Sequence, residues 1–223
     1  MKKIATSFLL LLALNCKSQI KKQDISNIKK DTMEIFNIEK YKNLKKDMNV
    51  SGYGNYILEN GDKIRVESGK DYYSERITKN NTNLSTYKEF FASNKSIKKT
   101  VNFLHNIHFG IAKEYDELGN LIKETNYDLP YKYTIEDLAT KMNNQYQIDI
   151  YNIKQIHSIR RYEEKKHLKI PLYEVWSYHK TNPLKLTCYI INGTTGETIY
   201  EGERFIEGKQ GSLLDQYLKI KNK

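Results

Sequence analysis

Ile111-Ala112-Lys113-Glu114-Tyr115, Asp116-Glu117-Leu118-Gly119-Asn120 and Leu121-Ile122-Lys123-Glu124-Thr125 run consecutively, and they read as strand, turn and strand. Asp116 and Asn120 carry side chains that bond turn backbone, and Gly119 supplies a residue free to take positive φ. The same plan occurs at Tyr56-Ile57-Leu58, Glu59-Asn60-Gly61-Asp62 and Lys63-Ile64-Arg65-Val66-Glu67, where Ile64 and Val66 alternate with charged neighbours. It occurs again from Tyr189-Ile190-Ile191 through Asn192-Gly193-Thr194-Thr195-Gly196 to Glu197-Thr198-Ile199-Tyr200. The three hairpins share turn chemistry and no fixed period, so they do not establish a solenoid. With only 3 prolines and 18 tyrosines in the chain, this patterning predicts a sheet-dominated α+β protein.

Working outward, Tyr72 to Thr78 and Lys98 to Leu104 are further strand candidates, and Asn80-Asn81-Thr82-Asn83 marks a loop. Thr32 to Asp47 is expected to be a helix, with Phe36, Tyr41, Leu44 and Met48 on a loose face. Thr134 to Tyr146 is the clearest helix: Thr134 is a good N-cap, Glu136 and Asp137 favour the positive helix end, and Ile135, Leu138, Ala139 and Met142 share one side. A last amphipathic helix is expected from Ser212 to Ile220.

The N-terminus carries an address. Lys2 and Lys3 precede an apolar run from Ile4 to Leu14, too short for a permanent membrane span, and Cys16 closes it. Leu12-Ala13-Leu14-Asn15-Cys16 resembles a bacterial lipoprotein signal, in which cleavage precedes a cysteine whose thiol receives a diacylglycerol. It departs from the usual pattern at Asn15 and Ala13. An ordinary cleavable signal, or a Cys16 that is simply buried, is the alternative. Lys17-Ser18 brings no acidic residue beside Cys16, which by the same resemblance implies an outer-membrane lipoprotein facing the periplasm. The expected division is a signal peptide over 1–15, a lipidated tether over 16–31, a helix and β-hairpin region over 32–128, and an α+β region over 129–223.

Loss of residues 1–15 removes two of the 37 Lys+Arg and no acids, leaving 35 against 27 Asp+Glu and a formal charge of +8. Outside the cytoplasm that charge favours an acidic protein or an anionic membrane surface over nucleic acid. If Cys16 carries lipid, Cys188 has no partner, and its strand-like setting makes it a small buried hydrophobe.

Two further resemblances are carried by short motifs. Tyr115 to Ile122 is similar to the Tyr-Asp-x-x-Gly-Asn hairpin units of YD-repeat and related antitoxin-like bacterial proteins, which implies a strand meander and, by association, toxin and immunity systems. Helix 134–146, a strand around Ile148-Asp149-Ile150, Pro171 to Trp176, and Cys188 to Asn192 with Gly196 together resemble a PepSY-like domain. Asn192 stands where that family commonly has an acidic residue, and Arg160 to Lys169 is long and charged. The resemblance implies a helix packed on an antiparallel sheet and a non-catalytic role in regulating envelope proteases or binding envelope partners.

No catalytic motif is present. His105-Asn106-Ile107-His108 invites a metal reading, yet residues three apart on a strand point to opposite faces. No metal or cofactor is expected. Tyrosine suits recognition surfaces, joining apolar area to a hydrogen-bonding tip. The candidate partner-binding residues are Tyr127, Tyr131 and Tyr133. The expected function is non-enzymatic binding of a protein partner in the cell envelope, with an immunity-type protein neutralising a toxin as the specific role. A regulator of an envelope protease and an envelope hydrolase without a recognisable motif are the alternatives.

Overall fold

Strand follows strand by the shortest available connection. In the computed structural model, which describes residues 33–48, 54–208 and 211–221, eight strands form one antiparallel sheet in chain order. They are β1 (Lys45–Lys46), β2 (Asn55–Ile57), β3 (Lys63–Ser68), β4 (Tyr72–Thr78), β5 (Leu84–Phe91), β6 (Ile97–Leu104), β7 (Ile107–Tyr115) and β8 (Leu121–Asn126). Helix α1 (Ile135–Tyr146) follows. A second antiparallel sheet is built from β9 (Ile156–Glu164), β10 (Ile170–Tyr178), β11 (Lys185–Asn192) and β12 (Thr198–Phe205), and α2 (Leu213–Lys221) closes the described chain. These residues belong to one compact unit, Met33–Lys223.

The turn between β7 and β8 shows why so many hairpins close. Asp116 accepts from the backbone N–H of Leu118 at 3.0 Å and of Asn120 at 2.8 Å, and from the Asn120 amide at 2.9 Å. Gly119 sits at φ 83°, a conformation that costs a residue with a Cβ. In the turn between β11 and β12, Asn192 accepts from the N–H groups of Thr194 and Thr195, so an amide oxygen serves where the resemblance led one to look for a carboxylate.

The expectation of an α+β fold, with a β-meander followed by a helix-on-sheet unit, is overturned. Two antiparallel sheets of eight and four strands with two α-helices make the chain mainly β. Two stretches account for the difference. Leu84–Phe91 and Ile156–Glu164 are full strands that the sequence reading did not register, the second because Arg160 and Arg161 make it look like a charged linker. The expected helix at 32–47 is instead a strap. Ile35 bridges Ser96, a 3-10 helix spans Ile38–Tyr41 under an Asn37 cap, and Lys45–Lys46 pairs with Tyr56 and Ile57. Phe36 and Tyr41 are buried as plugs, while Met48 is 87 % exposed, so no single helical face exists. Thr32 lies outside the described residues, as do Cys16 and the stretches expected to form a signal peptide (1–15) and a tether (16–31). Ile148 and Ile150 are buried in a loop rather than on a strand.

Three apolar clusters hold the elements. One joins α1 (Ile135, Leu138, Met142) with Tyr173, Val175, Tyr189 and Ile191 of the second sheet and with Leu104 and Ile107 of the first. A second lies under the strap, where Phe36 and Tyr41 meet Ile64, Val66, Phe90 and Ile97. The third gathers Leu172, Leu186, Cys188 and Ile190 beneath Leu213 of α2. Thr134 and Asp137 form a reciprocal capping box at the start of α1.

Candidate functional site

Strand alternation sorts the first sheet into a core side and an open side. On β4, Tyr73 and Ile77 pack with the cluster under the strap, so Ser74, Arg76 and Thr78 project the other way. Register carries that open side across the sheet: Arg76 pairs with Arg65 on β3 and Tyr87 on β5, Ser85 with Phe103 on β6, and Phe103 with His108 on β7.

These side chains stack in a continuous row. The Arg76 guanidinium lies 4.4 Å from the centre of the Phe103 ring and 5.9 Å from that of Tyr87. Phe103 meets His108 edge to face at 4.6 Å, and His108 meets Tyr127 at 4.7 Å. Val101, Ser74 and Ala112 are buried.

Charge on this face is unevenly balanced. Glu67 pairs with Arg65, Glu89 with Lys98, and Glu114 is shared by Lys99 and Lys123. Arg76 makes no ion pair or hydrogen bond among the described residues. Partial burial, together with the positive charges of Lys99, Arg161 and Arg76, pushes the His108 imidazole below its ordinary pKa, so it is neutral at pH 7.

The three candidate tyrosines separate. Tyr127 ends the row on the open face. Tyr131 is buried, with its ring 4.9 Å from Tyr173 and 4.7 Å from the Arg161 guanidinium, and burial pushes its hydroxyl up to about 12. Tyr133 donates to the Asp137 carbonyl at 3.1 Å, accepts from the Tyr173 hydroxyl at its own carbonyl, and lays its ring against Gly196. Tyr131 and Tyr133 are therefore joinery between the elements, and only Tyr127 belongs to the half-buried row on the open face.

Sequence reasoning missed Arg76, Tyr87 and Phe103, and it weighed His108 only as a metal ligand. The available signal was phase: aromatic residues at the solvent positions of alternating strands, where polar residues are the default.

His105 adopts φ 53° and its ring meets the Asn83 side chain at 2.7 Å, whereas the His108 ring packs between Phe103 and Tyr127. Among the described residues no group of three His, Cys, Asp or Glu side chains is placed to hold a metal ion. Burial pushes the Cys188 thiol up to about 12, leaving it protonated and a poor nucleophile at neutral pH. What the open face offers chemically is flat apolar area, a guanidinium edge and a titratable ring.

No family model, curated protein or solved structure matches the chain.

Proposed function

We propose that the protein is an exported lipoprotein, anchored through Cys16 in the cell envelope, whose folded part binds a protein partner without carrying out chemistry on it. The observation that carries this reading is the stacked row Tyr87, Arg76, Phe103, His108 and Tyr127 on the open face of the first sheet. Tyrosine and arginine dominate the energetic centres of protein interfaces, and here they stand on strands, which hold them in fixed geometry. Within this class the favoured role is immunity-type, neutralising a toxin in the periplasm; the N-terminal signal and the Tyr115–Asn120 hairpin motivate it.

Cross-linking in intact cells, followed by capture of the protein and of its Phe103→Ala variant, tests the binding role. A partner held by the parent and lost from the variant is expected; a partner profile unchanged by the substitution would remove the open face from consideration. Fractionation beside Cys16→Ala tests the address, since only the parent should travel with membranes. Competition between a deletion strain and its siblings tests the immunity role, and unchanged survival of the deletion strain would count against it.

A further inference from the structure

Resting on the reading of the open face as a partner-binding surface, its charge pattern defines what kind of partner fits. Arg65 and Arg76 are directly opposed across β3 and β4. Like charges in that relation destabilise a sheet. Glu67 relieves Arg65 at 2.6 Å, and nothing described relieves Arg76. The Arg76 guanidinium is also oriented in advance: stacking on Phe103 uses its flat face and leaves its N–H edge without an acceptor. His108 touches the same Phe103 ring from β7. Around it stand Arg76 from β4, Lys99 from β6, Arg161 from β9, and Tyr127 with Asp128 beyond β8. Asp128 is committed to Arg161, so the imidazole has cations near it and no free carboxylate.

We infer that this face docks an acidic polypeptide segment, one carboxylate of which takes the N–H edge of Arg76 while an apolar or aromatic neighbour covers Phe103 and Tyr87, with His108 beside the carboxylate. A carboxylate is planar and accepts two parallel N–H bonds from a guanidinium. A polypeptide suits the face better than an anionic bilayer does. Glu67, Glu89 and Glu114 are spread over the same surface, and a continuous sheet of negative charge would lie against all three, whereas a segment can place its acid at Arg76 alone.

His108 makes the docking pH-sensitive. In the free protein burial, and then the charges of Lys99, Arg161 and Arg76, push its pKa below the ordinary value. A bound carboxylate favours the imidazolium, so protonation and binding support one another and affinity rises as pH falls through the bound-state pKa.

The test uses the exported chain and a fluorescent oligoglutamate peptide carrying one tyrosine, followed by anisotropy at low salt. Arg76→Ala and Arg76→Gln are expected to weaken binding by about tenfold to a hundredfold, the range for losing a hydrogen bond to a charged group. Lys219→Ala with Lys221→Ala, which removes two cations from α2, is expected to leave affinity within about twofold if binding is local rather than driven by net charge. Parent protein should bind more tightly at about pH 5.5 than at about pH 8, and His108→Asn should remove that difference, because the ordinary histidine pKa is about 6.5. Equal binding by the parent and both Arg76 variants would overturn the inference, as would equal losses in the α2 variant. Tighter, Arg76-dependent binding to phosphatidylglycerol vesicles than to the peptide would overturn it in favour of a lipid surface. If Phe103→Ala still loses its cross-linked partner while the peptide ignores Arg76, the acidic ligand fails and the partner-binding reading stands.

Discussion

Arg161 donates through Nη1 to the Asp128 carboxylate at 2.7 Å, and this pair ties the second sheet to the end of the first. The other Asp128 oxygen accepts from the Gly110 N–H at 2.8 Å, and Arg161 also donates to the His108 carbonyl and stacks on Tyr131. The guanidinium side chain is 6 % exposed and the carboxylate 39 %, so the costly group to strand is the arginine.

Asp128→Ala, which leaves the buried guanidinium without its carboxylate, is accordingly expected to lower the unfolding free energy by about 2–3 kcal/mol, and Arg161→Ala, which strands only the more exposed carboxylate, by less, given what bonds to charged groups contribute. The double variant should cost less than the two singles together, by a coupling of about 1–3 kcal/mol for groups in one network. Urea unfolding of the four proteins measures it. Strict additivity would mean that the two residues act independently.

The tyrosines of the Tyr127–Tyr133 segment should part company in the same assay. Tyr131→Ala empties a buried aromatic site and is expected to cost about 3–5 kcal/mol, whereas Tyr127→Ala, on the open face, should stay within about 1 kcal/mol. Gly196→Ala meets two obstacles: φ is +75°, and an added Cβ would lie 2.3 Å from the Tyr133 ring. The conformational part alone costs about 1–2 kcal/mol. Shrinking the neighbour with Tyr133→Leu should relieve the clash and leave that part behind.

Much of the local structure was legible because turn chemistry is local. Asn60-Gly61, Asp116 to Asn120 and Asn192 to Gly196 each lie at a hairpin turn, and Thr134 caps α1. Fold class was not legible, because it depends on strands whose burial is set at a distance. Arg161 is a buried arginine only because Tyr131 and Asp128 cover it, and no pattern within β9 announces that. The strap was misread for a related reason. Phe36 and Tyr41 are buried by β3, β4 and β5, and their spacing fits a helix loosely enough to suggest one. Of the open face only Tyr127 was singled out for binding, since Arg76, Phe103 and His108 converge through register from β4 to β7.

Beneath the strap, Glu75 is 1 % exposed, bonded through Oε1 to Tyr41 and Lys40 and left with Oε2 unpartnered among the described residues. A buried carboxylate this poorly satisfied is a burden that its partners only partly offset. Tyr41→Phe is expected to destabilise by about 1–3 kcal/mol, because it strips a donor from a charge already short of partners. Glu75→Leu in the Tyr41→Phe background should recover that loss or exceed it, since an apolar replacement of both partners removes the desolvation cost. Thermal unfolding of the singles and the double separates the outcomes; a double variant less stable than Tyr41→Phe alone would show that Glu75 has further support.

Glu164 ends β9 and organises the loop that follows. Burial opposes its ionisation, but the N–H groups of Leu168, Lys166, His167 and Lys169 converge on the carboxylate and hold its pKa at about 2. Four backbone donors aimed at one side chain keep Lys165, Lys166 and Lys169 outward and turn Leu168 in against the apolar cluster under α2. In the unfolded chain the same carboxyl titrates near the ordinary value of about 4.3. Because the folded value is the lower one, the carboxylate's contribution is present in full above about pH 4.3 and is lost as pH falls towards 2. Glu164→Gln replaces an anion with an amide that offers a single acceptor oxygen. Its melting temperature is expected to lie below that of the parent at pH 7, with the gap closing as both are measured at progressively lower pH through that window. A gap that persists unchanged at about pH 2.5 would assign the loop's stability to packing of Leu168 rather than to the charge of Glu164.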